Sequence, residues 1–174
     1  MITTNDLLVM TASNGENLKL AERFVLASKK LGAKADLLDL TTLNLPLYNP
    51  RTHQEKGSPS SINALHEQLV TQPRWVICAP EYNGSIPPVL TSAIAWLSVQ
   101  ENDFRKLFNG RPIAIASASG GGCMELLLSM RIQLTHLGAQ VVGRQLASNS
   151  KNPAKDESIE DLLKRLMQME PLRL

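Results

Sequence analysis

The sequence has few cysteines and no long apolar run, and these absences argue against several classes of protein. It contains 2 cysteines, Cys78 and Cys123, which stand far apart and fit neither a redox pair nor a cysteine metal site. No uninterrupted apolar run approaches the roughly 18 residues of a membrane span. The first residues also lack the basic region and long apolar stretch of a signal peptide. We therefore expect a cytoplasmic protein without a membrane partner.

The sequence also has no large excess of positive or negative charge. The formal net charge is +2 and no run of lysine and arginine is present, which argues against a nucleic-acid partner. Hydrophobic residues make up 43% and charged residues 20%, as is ordinary for a soluble globular protein. A chain of 174 residues fits one domain, which we expect to span residues 1–174.

Residues 75–98 are the stretch around which the rest of the chain is organised. Residues 75–79 are nearly all apolar, as expected for a strand buried on both faces of a parallel sheet. Pro80 ends this strand, a polar turn follows at residues 81–85, and two further prolines suit the first turn of a helix. Such a unit is where open α/β sheets bind ligands.

The alternation of apolar strands and amphipathic helices continues along the whole chain. Strands are predicted at residues 7–10, 34–40, 75–79 and 112–116, with a last strand after Gly138, and helices at residues 18–31, 62–69, 88–98, 123–137 and 159–166. Residues 51–60 are predicted to form a mobile loop. Five strands alternating with five helices imply a parallel sheet with helices on both faces. Right-handed crossovers favour the strand order 2-1-3-4-5.

The first polar loop, residues 11–17, lies between a predicted strand and a predicted helix. Backbone N–H groups at a helix N-terminus bind anions, so this loop is a candidate phosphate site. Alternatively, Ser13 or Asn14 only caps the helix. The loop has neither Gly-x-Gly-x-x-Gly nor a phosphate-loop lysine, which excludes the usual dinucleotide and nucleoside-triphosphate fingerprints.

A third polar loop, residues 117–122, reads Ser-Ala-Ser-Gly-Gly-Gly. Consecutive glycines cost chain entropy, which indicates either a close backbone approach to a ligand or unusual dihedral angles. A flexible loop is the alternative. Position favours the first interpretation, because this loop, residues 11–17 and residues 80–85 all follow strands and converge where the strand order reverses.

The amino-acid sequence around the central turn also resembles that of a known family. Residues 80–87 read Pro-Glu-Tyr-Asn-Gly-Ser-Ile-Pro, and the helix that follows carries Leu90, Ala93, Ile94, Trp96, Leu97 and Ser98. This pattern closely resembles the signature of the NAD(P)H-dependent FMN reductase family. Thr91, Ser92 and Ala95 depart from it, since family members usually carry Lys, Asn and Asp there. The loop at residues 11–17 is also shorter than usual and has no arginine.

The resemblance implies a flavodoxin-like fold with FMN as cofactor, NADPH or NADH as electron donor and a small-molecule electron acceptor. It implies that Ser13 and Asn17, followed by Leu18, lie at the phosphate. It places Pro80, Glu81, Tyr82, Asn83 and Gly84 against the flavin ring, and Ser117, Ser119, Gly120 and Gly121 on the other side. Tyr82 as a packing residue is the alternative. We expect no catalytic acid, base or metal, because flavin performs the hydride transfer itself.

Two functions stay open at this point. The first is a reductase that passes hydride from NAD(P)H through bound flavin to free flavin, a quinone or an azo compound. The second is a non-enzymatic flavin-binding electron carrier or redox sensor. The sequence pI of about 8.6 favours the reductase, since flavodoxin carriers are typically acidic. The resemblance also implies a homodimer or homotetramer with Trp96 as an interface anchor, although a core position is equally open.

Overall fold

Six parallel strands with helices on both sides make up residues 7–173, the part of the chain that this computed structural model describes. The strands are β1 (Leu7–Thr11), β2 (Ala35–Asp39), β3 (Trp75–Cys78), β4 (Pro112–Ala118), β5 (Gln140–Val141) and β6 (Leu146–Ser148). The helices are α1 (Glu16–Lys30), α2 (Pro50–Lys56), α3 (Ser60–Thr71), α4 (Pro88–Ser98), α5 (Met124–His136) and α6 (Asp156–Met167). A 3-10 turn, Leu40–Leu43, follows β2. The order β2-β1-β3-β4-β5 confirms the predicted sheet.

The edge of the sheet beside β4 is the part that differs from the prediction. β5 pairs with Pro112 and Ile113, whereas β6 pairs with residues 116–118 further along the same strand. The two short strands together occupy the position of the predicted fifth strand. A three-residue strand is too short to show the period-two alternation by which strands are recognised, so β6 was missed.

The strands bury both faces, as the apolar runs predict. Leu8, Trp75 and Ile113 face a core shared with α3, α4 and α5. Their neighbours along the strands, such as Val76 and Ala114, face the core shared with α1 and α6. Because successive side chains point to opposite faces, each strand contributes to both layers. The carboxyl ends of the strands are thereby held at one edge of a rigid sheet.

The prediction of a mobile loop at residues 51–60 is wrong for its first half, which forms α2. The side chain of Asn49 accepts hydrogen bonds from Arg51 N (2.9 Å) and Thr52 N (3.3 Å), so it caps the helix. Pro50 stands at the first helical position, and Gly57 ends the helix with a φ of 71°. These start and stop signals outweigh the polar composition.

Trp96 is fully buried within the chain, so the core alternative describes it and an exposed interface anchor does not. Its indole Nε1 donates to Pro46 O (2.8 Å), and Ser92 Oγ donates to the same carbonyl (3.1 Å). His53 packs its ring on Trp96 with 5.5 Å between centroids. Ser92, one of the departures from the family pattern, therefore helps to fix the segment after β2 on α4.

Membrane insertion through a helix finds no support in the described residues. Among residues 7–173, no helix is both long and apolar enough to cross a bilayer.

Candidate functional site

The carboxyl ends of β1, β3, β4 and β6 meet at an open cleft of about 710 Å³, which suits a small-molecule ligand. Its walls come from the loops that follow these strands and from the first turns of α1. The lining residues are Ser13, Asn14, Gly15, Glu16, Asn17, Lys19, Leu20, Arg23, Pro80, Glu81, Tyr82, Ala118, Ser119, Gly120, Ser148, Asn149, Ser150, Pro153 and Ala154. The cleft lies at the switch point between β1 and β3, where the sequence places it.

The loop after β1 leaves the N-terminus of α1 uncapped. Gly15 is the N-cap residue, and no side chain bonds the N–H groups of the first turn, so the alternative that Ser13 or Asn14 caps the helix is wrong. Thr11 Oγ1 instead donates to Ser13 O (2.8 Å) and fixes the turn. An open helix N-terminus carries free N–H donors and a partial positive charge, both of which favour an anion.

Asn17 joins the first loop to the end of β4. Its Nδ2 donates to Ala118 O (2.7 Å), and its Oδ1 accepts from Ala118 N (2.9 Å). The residue is 1% exposed, so both bonds are shielded from water. The side chain that the family resemblance places at a phosphate is thus occupied in holding two walls of the cleft together.

The loop after β3 is a tight hairpin. Tyr82 N donates to Ser85 O (3.1 Å) and Ser85 N donates to Tyr82 O (3.0 Å). Between them, Asn83 and Gly84 have φ angles of 52° and 68°. Asn-Gly is the pair that a turn with two left-handed residues favours, so the sequence explains the hairpin directly. The hairpin presents the ring of Tyr82, 49% exposed, at the rim of the cleft.

Glu81 connects the β3 loop to α5. Its Oε2 accepts a hydrogen bond from Leu126 N (3.2 Å), in the first turn of that helix. A carboxylate at this position satisfies an otherwise free N–H and interacts favourably with the helix dipole. A Cβ added at Gly121 would lie 3.2 Å from Glu81 Oε1. Gly121 therefore makes room for this carboxylate.

The glycine run after β4 lacks the unusual dihedral angles that were one of the two interpretations of it. None of Gly120, Gly121 and Gly122 has a positive φ; the left-handed residue of this loop is Cys123, with a φ of 61°. Cys123 is therefore the N-cap residue of α5, and its buried side chain packs in the same core as the apolar side chains of that helix. A Cβ added at Gly120 would meet no protein atom within 4 Å, so this backbone lies open to a ligand.

The fourth wall of the cleft, residues 148–154, was not predicted. Ser148 Oγ donates to Ser117 O (2.9 Å), and Asn149 Oδ1 accepts from Asn152 N (2.8 Å) in a tight turn. The signal in the sequence was the polar run Ser-Asn-Ser-Lys-Asn before Pro153. The sequence did not connect this polar run to a ligand site, because β6, the strand that positions the run, is too short to be recognised.

The structure brings seven of the twelve predicted site residues to the cleft. These are Ser13, Asn17, Pro80, Glu81, Tyr82, Ser119 and Gly120. Leu18, Asn83, Gly84, Ser117 and Gly121 do not line it. Ser117 is fully buried, and its Oγ donates to Ala79 O (2.7 Å), so it ties β4 to β3 beneath the cleft.

Charged side chains of α1 also line the cleft, and these were not predicted. Arg23 Nη2 donates to Ala154 O (2.8 Å) and to Asp156 Oδ1 (2.6 Å), which fixes the guanidinium at the fourth wall. Lys19 bonds Glu16 Oε1 (2.7 Å), and this bond raises the pKa of the lysine. Residues 7–173 contain no group of three or more His, Cys, Asp and Glu side chains that could hold a metal ion.

Comparison with known proteins points to the family that residues 80–98 resemble. The sequence model of the family described as NADPH-dependent FMN reductase matches residues 6–153. A quinone reductase of Escherichia coli K12 is 30% identical over 154 residues, covering 84% of this chain and 78% of that protein. An NAD(P)H-dependent FMN reductase of Pseudomonas aeruginosa is 28% identical over 145 residues, covering 80% of this chain and 75% of that protein.

The solved structures agree on the fold. The Paracoccus denitrificans flavoenzyme FerB, an NAD(P)H:(acceptor) oxidoreductase, superposes with a TM-score of 0.76 at 19% identity, covering 95% of this chain and 96% of that one. The family match spans most of the chain and includes the loops of all four walls, up to residue 153 of the fourth. The chain thus belongs to the NADPH-dependent FMN reductase family, whose members are NAD(P)H-dependent oxidoreductases with FMN as cofactor.

Proposed function

We propose that the whole chain acts as one FMN-binding domain and that FMN binds in the cleft at the carboxyl end of the sheet. The observation that carries the proposal is the uncapped N-terminus of α1, which opens into a cleft whose walls are already joined by hydrogen bonds. A helix N-terminus suits a phosphate, and the hydroxyl of Ser13 adds a donor beside it. The residues present therefore fit the cofactor.

The ring of the cofactor fits between the β3 and β4 loops. Pro80 and Tyr82 line one side of the cleft, and Gly120 lines the other. No protein atom lies within 4 Å of the Cβ position at Gly120, so a flat ring can approach the backbone there. Asn17 and Ser117 hold these loops from below, which supports their roles as positioning residues.

We propose that the enzyme reduces small quinones, with azo compounds and free flavin as further acceptors. FMN held in this cleft would supply the redox chemistry, namely hydride acceptance from NAD(P)H and two-electron reduction of the acceptor. The protein's contribution is to bind and orient. Glu81 lines the cleft on the β3 loop, and its Oε2 is held by Leu126 N–H. The quinone reductase of Escherichia coli, 30% identical, supports quinone as the acceptor.

Steady-state assays with NADPH and NADH test this function. We expect FMN-loaded protein to oxidise NAD(P)H faster when benzoquinone is added, and Gly120→Val to lose most of this rate. Gly143→Val serves as the matched control, because Gly143 lies outside the cleft and a Cβ there also meets nothing within 4 Å. Protein that binds FMN but shows no quinone-dependent turnover with either nucleotide would favour the electron carrier or sensor instead.

We also propose that the chain works in the cytosol as a homodimer or homotetramer, with α5 at the interface. Met124, Leu128 and Ile132 are 48%, 50% and 71% exposed and follow one another at four-residue spacing. They form an apolar stripe along the outer face of the helix, and surfaces of this kind mark contacts between proteins. A second copy of the chain presents the same stripe and can cover it symmetrically.

Sedimentation velocity tests the assembly. The native chain is expected to sediment as a dimer or tetramer at micromolar concentration, and Ile132→Glu is expected to shift it toward the 19.1 kDa monomer. Leu26→Glu is the control, because Leu26 is 58% exposed but lies on α1. A native chain that sediments only as a monomer refutes the proposal, as does an Ile132→Glu variant that sediments like the native chain.

A further inference from the structure

A second concavity, of about 460 Å³, lies at the opposite end of the sheet from the proposed FMN cleft. It is formed by the end of α3, the connection into β4 and the C-terminal residues of the described chain. Its walls are Val70, Thr71, Pro73, Asp103, Lys106, Asn109, Arg111, Pro171 and Leu172. One side is therefore apolar and the other carries charge, an arrangement typical of sites for small amphipathic molecules.

Arg111 is the fixed charge of this pocket. Its Nε donates to Leu107 O (2.9 Å) and its Nη1 donates to Gln72 O. The guanidinium carbon lies 4.5 Å from the centroid of the Trp75 ring, a cation–π contact. These three contacts hold the side chain in one orientation without neutralising its charge.

No acidic side chain in residues 7–173 forms an ion pair with Arg111, and its Nη2 has no hydrogen-bond acceptor there. Arg74, at the same end of the sheet, is by contrast paired with Glu170 at 2.8 Å. Burial lowers the pKa of Arg111 to about 10, because the charged form is partly removed from water. Arg111 is half-buried, and no described acidic group supplies the counterion that a partly desolvated guanidinium favours.

The neighbours of Arg111 indicate the charge of that counterion. Lys106 is bound to Glu101 at 3.0 Å and is 64% exposed, and the carboxylate of Asp103 accepts from Arg105 N (3.0 Å). Since Lys106 is paired with Glu101, Arg111 is the lining cation that has no acidic partner among residues 7–173, which suits a single negative charge better than a double one. The buried Nε1 of Trp75, whose ring lies against the Arg111 guanidinium, also has no acceptor in the described residues.

We propose that this pocket binds a small organic monocarboxylate. The carboxylate pairs with the free edge of Arg111, and the apolar body of the ligand lies against Val70, Pro73 and Leu172. A guanidinium with two donors on one edge suits a carboxylate, which accepts two parallel hydrogen bonds. The site is separate from the FMN cleft and does not depend on the proposed reductase function.

Calorimetric titration with benzoate tests the proposal directly. The protein is titrated at saturating FMN and again without it, so that binding in the cleft is distinguished from binding at Arg111. Benzyl alcohol is the neutral match for benzoate, and inorganic phosphate tests a general anion site. We expect a saturable benzoate isotherm that is the same with and without FMN, and no saturable signal from benzyl alcohol.

Three variants complete the test. Arg111→Lys removes the two-donor edge and is expected to weaken benzoate binding about tenfold or more. Val70→Phe fills the pocket from an exposed position, leaves Arg111 in place and is expected to weaken binding as well. Arg105→Gln, an exposed arginine of the same connection, is expected to bind like the native chain. The proposal fails if benzoate gives no saturation, if phosphate binds more tightly, or if a folded Val70→Phe variant binds benzoate unchanged.

Discussion

The segments at the two ends of the sheet are cross-linked by different kinds of hydrogen bond. At the carboxyl end, neutral side chains cross-link the loops: Asn17 bonds Ala118, Ser117 bonds Ala79 and Ser148 bonds Ser117. At the amino end, two arginines bond backbone carbonyls, and Arg74 reaches Met169 in the segment after α6. The side chain of Arg74 is 1% exposed.

The difference shows how one fold separates binding from stability. Neutral amides and hydroxyls fix the loops at the carboxyl end while the N–H groups of α1 stay open to an anion. Buried arginines fix the amino end more strongly, because their charge-assisted hydrogen bonds exceed those between neutral groups. Substitutions at the amino end are therefore expected to lower stability, and those at the carboxyl end to lower FMN affinity.

Arg74→Met is expected to have the largest effect on stability. The change keeps the apolar stem but removes the bonds to Met169 O (2.9 Å) and Glu170 Oε1 (2.8 Å). Loss of charge-assisted bonds in a buried position costs about 3 kcal/mol, or roughly 6–12 °C in melting temperature for a chain of this size. Thermal unfolding of the apo protein measures it, with exposed Arg105→Met as the control. A variant that melts like the native protein contradicts this view of the amino end.

Asn17→Ala is expected to weaken binding of FMN and riboflavin alike. The variant leaves the N–H and C=O of Ala118 without their partner in a position shielded from water, which costs about 1–3 kcal/mol. Because the lost contact joins two walls, the flavin ring is affected as well as the phosphate. Fluorescence titration measures both ligands, with Asn63→Ala, at an exposed asparagine of α3 outside the cleft, as the control. Weaker FMN with unchanged riboflavin would instead make Asn17 a phosphate ligand.

The two glycines of the β4 loop are expected to respond differently to valine. At Gly120 the side chain enters open space beside the cleft, so FMN binding falls about tenfold or more by exclusion while the melting temperature holds. At Gly121 the side chain presses on Glu81, which bonds Leu126 N, so stability falls as well. FMN titration and thermal unfolding of both variants test this difference. If Gly120→Val lost as much stability as Gly121→Val, the added side chain would be meeting protein atoms at Gly120, and the cleft would not extend over this residue.

The smallest expected effect is a pH dependence at the fourth wall. Arg23 bonds Asp156, and this bond holds the pKa of the aspartate below its usual value. A lowered folded-state pKa gives stability above the unfolded pKa, and that stability is lost as pH falls through the folded value. The Asp156 side chain is 72% exposed and that of Arg23 is 38% exposed, so solvent screens the pair and the change is small. Urea midpoints from neutral to acid pH should fall less steeply for Asp156→Asn than for the native chain.

The sequence was sufficient for the fold where periodicity was strong. Apolar runs such as residues 75–79 and the alternation of strands and helices predicted the sheet order, because long buried elements carry a clear pattern. It failed for α2, where the capping signals of Asn49 and Gly57 were overlooked, and for β6, which is too short to show a pattern.

For the site, the sequence identified the loops better than the roles of their residues. Polar loops after strands pointed to the cleft, and three of its four walls were predicted. The partners of Asn17 could not be read from the chain, since Ala118 lies 101 residues away. The burial of Trp96 likewise depends on Pro46, which reaches it only in the folded chain.

FMN binding in the cleft at the carboxyl end of the sheet is tested most directly by two parallel fluorescence titrations. Apo protein is titrated with FMN and riboflavin by flavin fluorescence, using the native chain and Gly120→Val. We predict saturable quenching by the native chain with an FMN dissociation constant of roughly 1 μM, weaker binding of riboflavin, and loss of both in the variant. Native protein that does not quench FMN at high micromolar concentration, or a folded Gly120→Val variant that binds like the native chain, would contradict the central claim.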